Sequence, residues 1–282
     1  MPKERGHSLT DTMASAPQLS ARRVVGVIPA RFDSERLPGK VLRPIRGKAM
    51  VHVVYERARA CPLLDGLWVA TDSERVRDYC AQNEIPVLLT SRAPRSGTER
   101  ILEVIETLPA DGYANDTFVN DVFVNIQADE PMVTAEHLRL LIEPFFPPAA
   151  RGARAEILVT TLKTPLDPAE AQNPNVVKVV TNLRGEAVYF SRAPIPYRRN
   201  PASGLRLYKH LGFYAYRRAA LERYRQLPAS LLEETERLEQ LRFLEHGIAI
   251  QVVETLEDTI GVDTEEDWLA VTKYFEGLPA GR

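Results

Sequence analysis

Val24-Val25-Gly26-Val27-Ile28-Pro29-Ala30-Arg31-Phe32-Asp33-Ser34-Glu35-Arg36-Leu37-Pro38-Gly39-Lys40 opens the foldable part of the chain and decides its class. The short apolar, largely β-branched run fits a strand buried on both faces, and the Pro- and Gly-punctuated stretch behind it fits a loop. Working outward, helical patterns over 48–60 and 73–83 alternate with apolar runs at 67–70 and 86–90. A further helix is predicted over 98–108 and a further strand over 122–126, with Ser73 a candidate N-cap. Strands alternating with helices imply right-handed crossovers and a mostly parallel α/β sheet with helices on both faces. Ligands of such open sheets bind beyond the C-terminal ends of the strands.

The second half is less regular. Strands are predicted over 157–162, 176–181, 187–190, 211–216 and 248–254. A helix over 231–246 would carry Leu231, Leu238, Leu241 and Leu244 on one stripe, closed by Gly247. A last helix spans 264–275 with Thr264 at its N-cap, and 147–155 reads as a surface loop. Residues 1–23 are rich in Ser, Thr, Pro and charge and have no apolar stretch of the kind a secretory signal needs. They read as a disordered tail or an over-extended start with Met13 as a later candidate.

Composition narrows the function classes. The chain of 282 residues is 44% hydrophobic and 26% charged, an ordinary soluble globular balance. A formal net charge of -2 supplies no general pull toward nucleic acid or anionic membrane, so any phosphate site must be local. No apolar run approaches the roughly 20 residues that span a bilayer. Cys61 and Cys80 have no metal-ligand spacing and suit a reducing cytosol, so a cytoplasmic location is expected.

Three cations (Arg31, Arg36, Lys40) and the Ser34 hydroxyl share the first loop, where converging donors could hold a triphosphate. It is not a Walker loop: Ser34 and Val41 stand where that motif needs Gly and Ser or Thr. By spacing alone, a merely solvated charged loop fits equally well. Asp129 and Glu130 follow the 122–126 strand at the binding edge, where hard oxygen ligands suit Mg²⁺ bound together with substrate phosphates. An acidic turn before Pro131 would read the same.

The loop fills every position of A-R-x-x-S-x-R-L-P-G-K and resembles the nucleotide-binding signature of the 3-deoxy-manno-octulosonate (Kdo) cytidylyltransferases, the enzymes that make CMP-Kdo. Further matching segments are Ala70-Thr71-Asp72, Ser96-Gly97-Thr98-Glu99-Arg100, Gln127-Ala128-Asp129-Glu130, Asn173-Pro174-Asn175-Val176-Val177-Lys178 and Tyr189-Phe190-Ser191-Arg192. His210-Leu211-Gly212-Phe213-Tyr214, Leu238-Glu239-Gln240-Leu241-Arg242 and Gly261-Val262-Asp263-Thr264 complete the set. The resemblance implies a Rossmann-like nucleotide-diphospho-sugar transferase sheet with a smaller β-rich insertion for sugar binding and dimerisation. It implies one domain over 24–282, with a nucleotide-binding half at 24–145 and a sugar-acid and dimer half at 146–282. CTP and Kdo would be the substrates, Mg²⁺ the cofactor, and a homodimer the assembly, in lipopolysaccharide biosynthesis.

Residue by residue, the resemblance assigns nucleotide binding to Ala30, Arg31, Ser34, Arg36, Lys40, Thr71, Asp72, Ser96, Gly97, Thr98 and Arg100. Ser96, Thr98 and Arg100 supply the mixed donors and acceptors that a pyrimidine edge wants, although helix capping alone would explain Ser96 or Thr98. The sugar acid would meet Gln127, Arg192, His210, Tyr214, Glu239 and Gln240. Asp129 and Asp263 would hold the metal, and Arg31, Arg36, Lys40 and Asp129 would be catalytic. Two positions depart from the pattern. Ala128 replaces the usual Gly, at a cost of about 1 kcal/mol if that backbone needs positive φ. Lys209 stands where Arg is frequent, which would weaken a bidentate grip on a carboxylate. Two other readings stay open: a cytidylyltransferase for a related sugar acid (amino-Kdo or sialic-type), and a non-catalytic nucleotide-binding relative.

Overall fold

The structure, a computed structural model, describes residues 23–34, 36–92, 97–108, 121–147, 156–200 and 204–279. Residues 1–22 of the expected tail at 1–23, Ser96 and the 148–155 part of the expected loop lie outside the described residues.

In chain order the first half runs β1 (Val24–Pro29), β2 (Pro44–Ile45), β3 (Lys48–Ala49), α1 (Met50–Arg59), β4 (Gly66–Thr71), α2 (Glu74–Gln82), β5 (Val87–Leu89), α3 (Gly97–Thr107), β6 (Val122–Asn125) and α4 (Ala135–Ile142). The second half continues with β7 (Val159–Pro165), β8 (Lys178–Thr181), β9 (Ala187–Ser191), β10 (Tyr208–Arg217), α5 (Arg218–Gln226), α6 (Leu231–Glu236), α7 (Gln240–Glu245), β11 (Ile250–Glu254) and α8 (Glu265–Glu276).

Alternation along β1 divides the core into two layers. Val24 and Ile28 join one cluster with Val54 and Tyr55 of α1, Val76 of α2 and Leu138 and Leu141 of α4. Val25 and Val27 face the other way, onto Ile101 and Val104 of α3, Leu221 of α5 and Leu241 next to the α7 start. Each such fully buried aliphatic side chain contributes about 2 kcal/mol of transfer free energy. Helices therefore cover both faces, which is why the strand sequences read as continuous apolar runs.

The main sheet has nine strands, in the path order β11-β7-β10-β6-β1-β4-β5, with β8 and β9 attached beside β10. β6, β1, β4 and β5 pair in parallel, as do β11 and β7, whereas β10 runs antiparallel to both β6 and β7. From β1 the chain builds outward to β4 and β5, then returns to place β6 on the other side of β1. That reversal makes the C-terminal end of β1 a topological switch point, the place where open α/β sheets bind ligands. The β8–β9 hairpin is the small β-rich insertion; Lys178 pairs with Lys209 where it meets β10.

Three helical expectations need correction. The single helix over 231–246 is two, because Arg237 adopts φ 55 and ψ 46 and ends α6. Leu231 consequently leaves the apolar stripe and is 77% exposed. Ser73 precedes α2 without a side-chain cap; its N–H instead donates to Thr71 Oγ1. The expected helix from 48 starts at Met50, since Lys48 and Ala49 pair with Ile45 and Pro44. Thr264 does cap α8, in a reciprocal box with Asp267.

A third apolar cluster joins the chain's two ends. Leu37, Ile45, Met50 and Val53 pack against Val262, Val271 and Phe275. The Arg43 guanidinium lies 4.0 Å over the Trp268 ring and pairs with Glu265, so α8 is strapped to the segment behind the first loop.

Candidate active site

The first loop is closed by Gly39, whose φ of +69 suits glycine and whose N–H donates to the Phe32 carbonyl at 3.1 Å. The fold-back turns Lys40 inward, leaving the residue only 9% exposed. Its ammonium donates to Asp129 Oδ2 at 2.7 Å, Asp263 Oδ1 at 2.8 Å and the Val262 carbonyl at 2.8 Å. Arg36 Nη2 reaches the other oxygen of Asp263 at 2.8 Å. Burial works to lower the Lys40 pKa, but the two carboxylates outweigh it and raise the value. Burial likewise works to raise the Asp263 carboxyl, yet Lys40 and Arg36 hold it below the ordinary carboxylate value.

Two local devices bring these acids together. The Val262 N–H donates to the Asp129 carbonyl at 2.8 Å, clasping the loop after β6 to the loop before α8. Asp267 Oδ2 accepts from the N–H groups of Asp263 and Thr264 at 3.1 and 2.8 Å, fixing Asp263 at the mouth of α8. Ala128 carries no penalty: among the described non-glycine residues only Arg46, Glu84 and Arg237 have positive φ, and its methyl joins the core.

Hard carboxylate oxygens from Asp129 and Asp263 converge on one cation, so this donor set fits Mg²⁺. Among the described residues no cluster of three or more His, Cys, Asp or Glu could hold a metal by itself. The remaining ligands would therefore come from phosphate and water, the usual arrangement for this ion.

A cleft of about 560 Å³ opens beside this centre. Arg36, Gln127, His210, Tyr214, Glu239, Gln240 and Asp263 line it, together with Glu130 and Lys209. Three of its lining side chains end in buried polar atoms without a partner: Glu130 Oε2, the Tyr214 hydroxyl and Gln240 Nε2. Such orphans are costly unless a ligand completes them. Burial, with neighbouring Asp129, pushes the Glu130 carboxyl up to about 7. Lys209 donates to Asp258 Oδ1 at 2.8 Å and to the Thr259 carbonyl at 2.7 Å, tying β10 to the loop that leads to Asp263.

The expected nucleotide residues split into two groups. Ala30 extends the β1–β4 pairing, its N–H donating to the Ala70 carbonyl at 2.8 Å. Asp72 lines a second hollow, of about 490 Å³, with Phe32, Asp33 and Arg75. Gly97 starts α3 where a Cβ would come 2.8 Å from Asn125 Nδ2, so only glycine fits unshifted. Thr98 and Arg100, expected to supply donors and acceptors to a pyrimidine edge, are fully buried. Thr98 Oγ1 meets the Tyr216 hydroxyl at 3.2 Å, and Arg100 binds Asp72, Thr90 and the Ser91 carbonyl. Thr71 is buried too, its Oγ1 accepting from Ser73.

The sequence profile of the cytidylyltransferase family matches residues 25–253. The chain belongs to that family. A relative from Acidobacterium capsulatum named 3-deoxy-manno-octulosonate cytidylyltransferase is 49% identical over 253 residues, covering 90% of this chain and 96% of its own. One of the same name from Koribacter versatilis is 47% identical over 246 residues, covering 87% of each. Among solved structures, a CMP:2-keto-3-deoxy-manno-octonic acid synthetase complexed with CTP superposes with a TM-score of 0.80 at 40% identity. That match covers 90% of this chain and 98% of the other.

Within this cytidylyltransferase, Arg192 stands apart from the cleft. Its Nε donates to the Glu236 carbonyl at 2.8 Å and its Nη1 to the Pro174 carbonyl at 3.0 Å. Lys178, fully buried, donates to the carbonyls of Asn173, Val176 and Arg192. The pair thus braces the two walls of the cleft, at 173–177 and 237–240. Glu130, read beside Asp129 as a candidate oxygen ligand, lines the cleft. Two contributors have no counterpart in the sequence expectations. Thr161 was detectable as one of several polar residues inside the buried strand β7. The Val262 carbonyl leaves no side-chain signal at all.

Proposed function

We propose that this protein transfers CMP from CTP to the anomeric 2-hydroxyl of 3-deoxy-D-manno-octulosonate, releasing pyrophosphate. The observation that carries the reading is the meeting of Lys40, Asp129 and Asp263 beside a cleft lined by Gln127, His210, Tyr214, Glu239 and Gln240. The names of the relatives at 49% and 47% identity agree with it.

In the reaction, the 2-hydroxyl oxygen bonds to the α-phosphorus while that atom's bond to the oxygen bridging the β-phosphorus breaks. Pyrophosphate leaves, and the hydroxyl proton is lost to water. Arg31, Arg36 and Lys40 neutralise the triphosphate and the departing pyrophosphate, so charge stabilisation and positioning carry the catalysis. Lys40 must exchange a carboxylate for phosphate as CTP enters, since its three donors already have acceptors. Mg²⁺ held by Asp129 and Asp263 would supply Lewis-acid charge at the phosphate oxygens when bound. Arg100 anchors Asp72 beside the second hollow, which would take the nucleoside. The orphaned groups of Glu130, Tyr214 and Gln240 suit the several hydroxyls and the carboxylate of a sugar acid.

The chain would act as one unit over 24–282, as a cytoplasmic homodimer. Free, buried Cys61 and Cys80 suit a reducing compartment, and exposed Val188, Tyr197 and Leu205 offer apolar surface for a second copy.

The test is pyrophosphate release with Mg²⁺, each of the four nucleoside triphosphates, and Kdo, amino-Kdo, sialic acid or a sugar 1-phosphate as acceptor. Release confined to CTP with Kdo is the expected result. Release with another acceptor and none with Kdo would overturn the assignment.

A further inference from the structure

The β10 strand is irregular at one place. Leu211 pairs with Leu162 and Tyr214 with Thr161, so Gly212 and Phe213 bulge out of register. Bulges of this kind re-aim side chains beside active sites. This one holds His210 at the cleft, where the ring packs against Phe190 and Tyr214, with centroids 4.8 and 5.4 Å away.

Thr161, fully buried on β7, sits opposite Tyr214 at the end of the bulge. Its Oγ1 lies 2.7 Å from the Phe213 carbonyl, 3.3 Å from the Leu211 carbonyl and 2.9 Å from His210 Nε2. A hydroxyl has one proton to give. A carbonyl can only accept, so the proton goes to Phe213, the nearer of the two. The threonine oxygen then faces His210 with lone pairs, and Nε2 must be the protonated nitrogen. A neutral imidazole protonated on Nε2 keeps Nδ1 as an acceptor. Among the described residues Nδ1 has no hydrogen-bond partner, and it is not among the buried unpartnered atoms. Burial also drives the ring's pKa down to about 3, which keeps it neutral.

We propose that Thr161 is a positioning residue that fixes His210 as the Nε2–H tautomer and so presents Nδ1 as the acceptor for a hydroxyl of the bound sugar acid. The idea rests on reading the cleft as the sugar-acid site. It adds a direction to that contact: the substrate donates, and the histidine cannot. An acceptor analogue whose contacting hydroxyl is replaced by an ether or fluorine should therefore be discriminated against.

The test uses the full chain labelled with ¹⁵N-histidine, whose five histidines give few enough signals to assign with a His210→Leu variant. Long-range ¹H–¹⁵N correlation on the wild type should show His210 protonated on Nε2 at neutral pH. Thr161→Val should mix the tautomers and raise KM for the sugar acid about tenfold, the loss of roughly one hydrogen bond, with KM for CTP unchanged. Thr161→Ser should restore both readings. A wild-type signal from Nδ1–H overturns the proposal even if Thr161→Val fails to fold. So does an unchanged sugar-acid KM in Thr161→Val when His210→Leu raises it. If His210→Leu also leaves that KM unchanged, the cleft reading falls, and the proposal with it.

Discussion

The Lys40 ammonium stands 2.7 Å from the Asp129 carboxylate across 89 residues of sequence, and it grips Asp263 at 2.8 Å on its other side. One lysine thus balances both carboxylates that would carry the metal. Replacing it with methionine should lower kcat/KM for pyrophosphate release by about 10²–10³, the range for removing one preorganised charge-stabilising donor. Lys40→Arg should recover little, because a planar fork cannot replace a compact point charge converging on three acceptors. Near-normal turnover in Lys40→Met would remove it from the site.

Arg100 makes a different kind of contribution. Its guanidinium has no exposure, and Asp72, its partner at 3.1 Å, retains 19%. Arg100→Met should destabilise the fold by about 2–4 kcal/mol, since truncating one side of a buried pair strands the other. Urea unfolding would measure this. Adding Asp72→Asn should cost less than the sum of the single changes, and strict additivity would mean that the pair does not interact.

Thr264 links stability to activity. Its hydroxyl accepts from the Asp267 N–H at 3.2 Å while Asp267 holds the Asp263 backbone. Thr264→Ala should cost about 1 kcal/mol in unfolding free energy and also lower kcat, whereas Thr264→Ser should keep both. A stability loss with kcat intact would separate the cap from the site.

His210 sets a pH dependence of known sign. Its folded pKa, about 3, lies below the ordinary histidine value of 6.5, with burial the cause. Between those values the unfolded chain binds a proton that the folded chain does not, so stability is lost as pH falls below 6.5. The contribution amounts to about 1.4 kcal/mol per pH unit in that window. His210→Leu should flatten the slope between pH 7 and 5 in denaturant titrations; an unchanged slope would mean that the ring is not buried neutral.

Much of the fold was legible because β1, β4 and β6 are apolar on both faces, and that follows from helices covering both sides of the sheet. Two helices, α4 and α5, carry weak sequence signals. α4 is eight residues long, and its capping box uses His137 in place of the usual Glu or Gln. α5 starts at Arg218, directly behind the last residue of β10, with no loop to announce it. The break at Arg237 was hidden because arginine is a good helix former, and only tertiary packing pays for its left-handed backbone. In the candidate site, Lys40, Asp129, Asp263, Gln127, His210, Tyr214, Glu239 and Gln240 stand out by motif, and so does Arg192, which the fold sets apart from the cleft. The inward turn of Thr98 and Arg100 did not, since a motif records which residues are present and not which way they face.

The strap between α8 and the first loop has a consequence for synthesis. Lys40 leaves the ribosome 222 residues before Val262 and 223 before Asp263, and the cluster of Leu37, Met50, Val271 and Phe275 closes later still. Long-range closure of this kind comes late in folding. A nascent or prematurely terminated chain can thus complete the β1–β4–β5 sheet while still lacking half of its acid pair.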